Sequence, residues 1–327
     1  MRTLTTRGTR VTFAALATGI ALVAAGCGSA GKPIEPAPVG AAGRPLPANA
    51  EVPAKSAGGG GAADASCDTR STAPTGTSVT AGSTMAKIKS RGQLIAGVDQ
   101  TTYLFGFRNP TTGELEGFDI DMVKQIAKAI FGTDQGTIRY RAIPSSQRIP
   151  VLKNHEVDVV VRTMSITCDR LKDINFSSKY YVAGQRVLVN KNSPAKKLGD
   201  LGGKKVCATK SSTSLPRIAA EAAKPVPVAV DNWSDCLVML QQGQVDAVST
   251  DDVILAGMAA QDPTLQVVGD RFSTENYGIG IPKDQTDMVG FVNSVLDTVR
   301  AGPWRDSYNS WLTGKLPPAD PPQGEYK

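Results

Sequence analysis

The sequence predicts an α/β protein built as two lobes. Short apolar strand segments alternate with amphipathic helical segments from Leu94 onward. The same alternation restarts after Val189, at Lys205. About 230 residues lie between Met85 and Gly314, enough for two ordinary lobes. Helices that alternate with short buried strands imply mostly parallel sheets covered by helices on both faces.

The elements follow in order. Leu94–Val98 reads as a buried strand. Asp119 is placed to cap a helix whose residues Ile120, Val123, Ile126, Ala127 and Ile130 share one face, and Gly132 ends it. Val157–Val161 and Val187–Val189 are further strands. In the second half, Lys205–Ala208 reads as strand and Thr213–Ala223 as a helix interrupted early by Pro216. Ser234 is placed to cap a helix through Leu237, Met239 and Leu240, which stops at Gly243. Val245–Val248 returns as strand. Asp284–Arg300 is a late helix with Met288, Phe291, Val292, Val295, Leu296 and Val299 on its apolar face.

The N-terminal stretch reads as an export address. Arg2, Arg7 and Arg10 precede an apolar run from Val11 to Ala25, too short to span a bilayer comfortably. Ala24-Ala25-Gly26-Cys27 resembles a lipobox, in which Cys27 becomes the acylated first residue, although Ala24 stands where Leu is usual. Residues 1–26 are therefore expected to be a signal peptide, and 27–84 a lipidated, disordered linker crowded with Pro, Gly, Ala, Ser and Thr. As a coil the linker would reach on the order of 40 Å. The formal net charge of +6 includes the three leader arginines, and what remains is too small a bias for a nucleic-acid partner. With Cys27 set aside, four cysteines remain in an exported chain, and four allow three pairings. Cys207 and Cys236 lie in one later region and are expected to pair, which leaves Cys67 for Cys168. The absence of a C-x-x-C spacing and a single histidine, His155, argue against zinc.

Seven short motifs stand in one order along the chain. They are Gly113-x-x-x-Gly117-Phe118-Asp119-Ile120-Asp121, Arg148-Ile149-Pro150-x-Leu152, Val157-Asp158, Thr163-Met164-Ser165-Ile166-Thr167-x-x-Arg170, Phe176-Ser177-x-x-Tyr180, Asp200-Leu201-x-Gly203-Lys204 and Val245-Asp246-Ala247-Val248-x-x-Asp251. Together they resemble the polar amino-acid solute-binding proteins, the extracellular subunits of ABC importers, and within them the actinobacterial glutamine/glutamate-binding lipoproteins. The resemblance implies the two-lobed periplasmic-binding-protein-like fold (type II), with two hinge strands and ligand in the cleft, closed by a hinge motion. The crossings are expected near Gln185–Val189 and Tyr277–Ile281. Lobe 1 would comprise 85–186 and 281–314, lobe 2 residues 187–280, and 315–327 a tail. A monomer without cofactor or metal is expected, partnered by permease subunits or, alternatively, by a membrane sensor protein.

The resemblance also assigns roles. A buried zwitterion needs partners for both charges. Arg170 occupies the family's position for the ligand α-carboxylate, which its planar fork suits. Ser165 adds a hydroxyl, and Ser212 and Thr213 open a helix with free N–H groups. Asp251, preferred over Asp252, and the backbone at Thr163 serve the α-ammonium. For the ligand side chain the candidates are Lys210, Arg148, Arg162, Tyr103 and Asp99. Three cations against Asp99 favour glutamate or aspartate, with glutamine and asparagine next. No enzyme is expected: the chain shows no nucleophile elbow or metal set, and Gly202-Gly203-Lys204 lacks P-loop spacing.

Overall fold

The computed structural model describes residues 44–53 and 67–327. The signal-peptide and Cys27 assignments lie outside the described residues. Lobe 1 begins with α1 (Thr84–Arg91), capped by the Ser83 hydroxyl, which accepts from Ala86 N–H. Then come β1 (Leu94–Val98), a small meander of β2 (Thr101–Thr102), β3 (Gly106–Arg108) and β4 (Leu115–Glu116), and α2 (Phe118–Phe131). β5 (Ile138–Ala142), α3 (Arg148–Lys153), β6 (Val159–Val161), α4 (Cys168–Asp173) and β7 (Asn175–Phe176) follow. β8 (Tyr181–Ala183) carries the chain out of the lobe.

Lobe 2 runs through β9 (Gln185–Asn190), β10 (Lys205–Thr209), α5 (Ser214–Ala220), β11 (Val226–Val230), α6 (Trp233–Gln241), β12 (Ala247–Asp251), α7 (Asp252–Gln261) and β13 (Leu265–Val268). β14 (Glu275–Tyr277) returns the chain, and lobe 1 finishes with β15 (Gly280–Ile281), α8 (Thr286–Arg300) and α9 (Pro303–Trp311). β8 and β14 pair antiparallel as a two-stranded ribbon that belongs to neither main sheet. This ribbon is the hinge. The first crossing therefore lies before Gln185–Val189, which is already paired inside the lobe 2 sheet.

The lobe 1 sheet has the order β5-β1-β6-β15-β7 and the lobe 2 sheet β11-β10-β12-β9-β13. Each is parallel on one half and antiparallel on the other, rather than mostly parallel. The strand adjoining the hinge enters each sheet against the direction of the βα units, which accounts for the mixture.

Several local expectations shift. Asp119 does not cap α2; Gly117 does, with φ 124°, and a Cβ there would stand 2.4 Å from the Phe105 carbonyl. The Asp119 carboxylate is instead used inside the lobe, as shown below. α6 begins at Trp233 with Asn232 as its N-cap, two residues before the expected Ser234, and Asp235 Oδ2 accepts from Asn232 N–H at 3.0 Å. α5 ends at Ala220 rather than Ala223.

The described parts of the expected linker are docked. Glu51 forms an antiparallel bridge with Ala229 at the edge of lobe 2, exchanging both backbone hydrogen bonds (2.9 and 2.7 Å). Gln244 Nε2 donates to the Pro45 carbonyl at 2.6 Å. Cys67 is disulfide-bonded to Cys168 in lobe 1, and Ser71 Oγ donates to the Phe176 carbonyl at 2.8 Å. The tail is docked as well: Ser71 N–H donates to the Glu325 carbonyl at 3.0 Å, and Arg300 Nε to the Pro322 carbonyl at 2.7 Å. The Cys207–Cys236 disulfide staples β10 to α6. Among the described residues, no helix is long and apolar enough to cross a membrane, and no group of three His, Cys, Asp or Glu could hold a metal ion.

Candidate ligand-binding site

The site forms where the turn after β6 faces the loop after β10 across the cleft. Thr163 begins that turn with φ 39°, an uncommon conformation for a β-branched residue. The buried Asp119 carboxylate accepts from Thr163 N–H at 2.9 Å and from Tyr180 Oη at 2.6 Å, fixing the turn. Thr167 Oγ1 caps α4 by accepting from Arg170 N–H, which sets Arg170 on the first turn of α4. Arg170, 8% exposed, donates from Nη1 to the Ser165 carbonyl at 2.7 Å and from Nη2 to the Ser211 carbonyl of lobe 2 at 3.0 Å. Arg148 starts α3 and donates to the carbonyls of Ser145, Arg162, Thr163 and Ser211. Among the described residues neither arginine has a carboxylate within ion-pair distance.

Lobe 2 contributes Ser212, Thr213 and Ser214 before and at the start of α5, Thr250 and Asp251 at the end of β12, and Trp233 and Ile254. Asp251 accepts from Tyr277 Oη at 2.5 Å through Oδ2. Its Oδ1 is fully buried and has no hydrogen-bond partner. Asp252 is committed elsewhere: Arg271 Nε donates to it at 2.7 Å. Asp251 therefore faces the pocket and Asp252 does not. The lobes are closed, and about 10 Å³ of free space remains between these groups.

Burial dominates the electrostatics. It drives Arg148 well below its ordinary value, with the neighbouring Arg170 adding to the drop, and brings Arg170 down to about 10 against the pull of Glu275 and Asp251. Burial, then the charge of Glu275, pushes Asp251 up to about 8 against the Tyr277 hydroxyl bond. Asp119 rises to about 7 for the same first reason, opposed by its bonds from Tyr180 and Thr163. The pocket thus holds two cations and one acid.

The remaining expected residues stand as follows. Ser165, Thr163, Ser212 and Thr213 line the pocket. The Thr163 carbonyl accepts from Arg148 at 3.3 Å, Ser212 Oγ accepts from Leu215 N–H, and Thr213 Oγ1 donates to Glu275 at 3.0 Å. Lys210 is not a lining residue: its Nζ lies 2.8 Å from Glu51 and 3.3 Å from Asp231. The Glu51 side chain, brought there by the docked N-terminal segment, accounts for the difference. Arg162 and Asp99 are not lining residues either, because they pair with each other at 2.8 Å in the lobe 1 interior. Tyr103 lines a separate narrow gap between the lobes with Trp233, Leu237 and Met258. Helix α7 comes close there; a Cβ on Gly257 would stand 2.4 Å from the Tyr103 carbonyl. Sequence reasoning missed Trp233, Ile254, Ser214 and Thr250.

The chain is 40% identical over 231 residues to "ABC transporter glutamine-binding protein GlnH" of Bacillus subtilis (strain 168), covering 70% of this chain and 84% of that protein. It is 33% identical over 222 residues to "Glutamate-binding protein GluB" of Corynebacterium efficiens, covering 64% of this chain and 74% of that one. Among solved structures it is similar to an ancestral arginine-binding protein bound to glutamine, at 34% identity and a TM-score of 0.64, over 68% of this chain and 98% of that one. Residues 94–314 match the model of the bacterial extracellular solute-binding proteins, family 3, and the chain belongs to that family.

Proposed function

We propose that the protein is an exported receptor that closes over an acidic amino acid and hands it to an ABC permease. It is a binding protein and not an enzyme. In this reading the ligand α-carboxylate takes the Arg170 fork, displacing the Ser211 carbonyl. The α-ammonium meets Asp251 Oδ1. The distal carboxylate meets Arg148, and acylated Cys27 holds the chain at the outer face of the membrane.

The observation that carries the acidic preference is Arg148, a buried guanidinium whose hydrogen bonds all go to carbonyls. A zwitterion neutralises one pocket cation and the one acid, and leaves one positive charge. An isolated buried charge is costly unless it is paired, and a second ligand carboxylate supplies the pair. The similarity to the glutamine-binding protein of Bacillus subtilis supports a second reading, glutamine. Its amide oxygen would accept from Arg148 but leave the charge uncompensated. Thermal shifts of the chain lacking residues 1–27, unfolded and refolded to strip carried ligand, against the twenty amino acids decide between them. A selective rise with glutamate or aspartate is expected; a rise with glutamine alone would sink the charge argument.

A further inference from the structure

A chain of buried polar contacts crosses from one lobe to the other without passing through the ligand pocket. Its root is the Asp99–Arg162 pair in lobe 1, with both side chains almost wholly buried. Asp99 is itself held by Thr102 Oγ1 at 2.5 Å and by the N–H groups of Gln100 and Thr101. Arg162 Nη2 meets Asp99 at 2.8 Å as an ionic contact, outside hydrogen-bond geometry. Its other donors are well aimed: Nε to the Ile143 carbonyl at 2.7 Å and Nη1 to Ser145 Oγ at 2.6 Å. Ser145 Oγ then accepts at 3.0 Å from Oγ1 of Thr209, the last residue of β10 in lobe 2. Thr209 is fully buried, and its hydroxyl makes no other side-chain hydrogen bond among the described residues.

We propose that Ser145 and Thr209 form a latch between the lobes that does not depend on ligand chemistry, with Arg162 and Asp99 holding its lobe 1 half in place. Thr209 is then a positioning residue for closure. Because Arg162 fixes the Ser145 hydroxyl in advance, the bond across the cleft forms with little loss of side-chain freedom. The Arg148 and Arg170 bonds to Ser211 differ in kind, since a ligand carboxylate competes for the same donors. None of the four latch residues lines the pocket, so the latch adds the same increment whichever amino acid is bound. It rests on the reading that the lobes close over a ligand, and not on the identity of that ligand.

Thr209→Val keeps the shape and removes the hydroxyl, and Thr209→Ser restores it. A neutral hydrogen bond contributes about 0.5–1.5 kcal/mol, so Val should weaken every bound amino acid by the same factor, about 2- to 12-fold. Calorimetric titration with glutamate, aspartate and glutamine reads the factor, and stopped-flow dissociation should show it mainly as faster release. Ser should return both to wild type. A loss that differs between ligands, unchanged affinity for all, or failure of Ser to rescue would each overturn the latch. Fluorescence transfer between dyes on the two lobes reads closure without added ligand. There Val should shift the distances longer, and an unchanged distribution counts against the latch even if the ligand assignment itself proves wrong.

Discussion

Arg148→Met tests the charge count at its centre. Met keeps an unbranched apolar stem and removes the guanidinium. In the folded chain Arg148 donates to the carbonyls of Ser145, Arg162, Thr163 and Ser211. The three lobe 1 carbonyls lose a donor in the variant, at about 1 kcal/mol each at the low end. Removing an uncompensated buried ion returns several kcal/mol of desolvation cost, so the two terms offset and the variant should fold. Binding responds differently. Truncating one partner of a buried charge pair costs about 2–5 kcal/mol, so glutamate affinity should fall at least 30-fold. Glutamine would lose one bond to a charged donor, about 1.5–3 kcal/mol. The glutamate-to-glutamine affinity ratio should therefore drop on the order of tenfold. Isothermal titration of the refolded variant with both ligands measures that ratio. Equal losses for the two, or glutamate affinity kept within twofold, would refute the assignment of Arg148 to a distal carboxylate.

Four further outcomes follow from the site and its staples. Arg170→Ala should weaken binding at least 30-fold, about 2–5 kcal/mol, with far-ultraviolet circular dichroism unchanged; near-normal affinity would show that the α-carboxylate lies elsewhere. Asp251 has its carboxyl raised from 3.8 to about 8 in the ligand-free fold, so below that pH it holds a proton that an incoming ammonium must expel. Affinity should then fall as pH drops below about 8, by up to tenfold per unit, with proton release visible by calorimetry in buffers of different ionisation heat; a flat profile from pH 6 to 8 would contradict the Asp251 role. The same shift means that this group's contribution to ligand-free stability declines as pH rises from about 4 to about 8. Cys207→Ser opens a disulfide loop with a sequence separation of 29 and should cost about 3.5 kcal/mol of stability in chemical denaturation, with affinity little changed.

What could be read from the sequence was whatever local pattern dictates. Apolar periodicity located β1, α2 and α8 to within a few residues. Arg170 and Asp251, singled out by motif order, line one pocket, each held by local structure: a capped turn for one, a strand end for the other. Long-range pairing could not be read. Arg162 looks like a spare cation in the chain, and only the fold brings Asp99 to it. Lys210 was expected at the ligand, but in the fold it pairs with Asp231 and with Glu51, 159 positions earlier, which only docking of the N-terminal segment brings there. The ribbon strand β8 could not be told from β9 in the sequence, because Gly184 alone separates them and nothing local distinguishes a ribbon strand from a sheet strand. The antiparallel half of each sheet was likewise invisible, since strand direction is set by topology and not by composition.

The docked N-terminal segment changes how far the body can stand from residue 27. Counted to Thr84, where the linker was expected to end, the covalent chain allows up to roughly 200 Å at ~3.5 Å per residue. Counted to Arg44, whose guanidinium donates to the Gln242 carbonyl of lobe 2, the limit falls to roughly 60 Å. A pull on the N-terminus would load the Glu51–Ala229 bridge and the Glu51–Lys210 pair before it reached the Cys67–Cys168 disulfide. The first grip is one that can be peeled away, and the second is covalent. Were Cys27 acylated as proposed, such an order would give the tether two stages, a peelable contact first and a covalent one second, with the folded lobes still held.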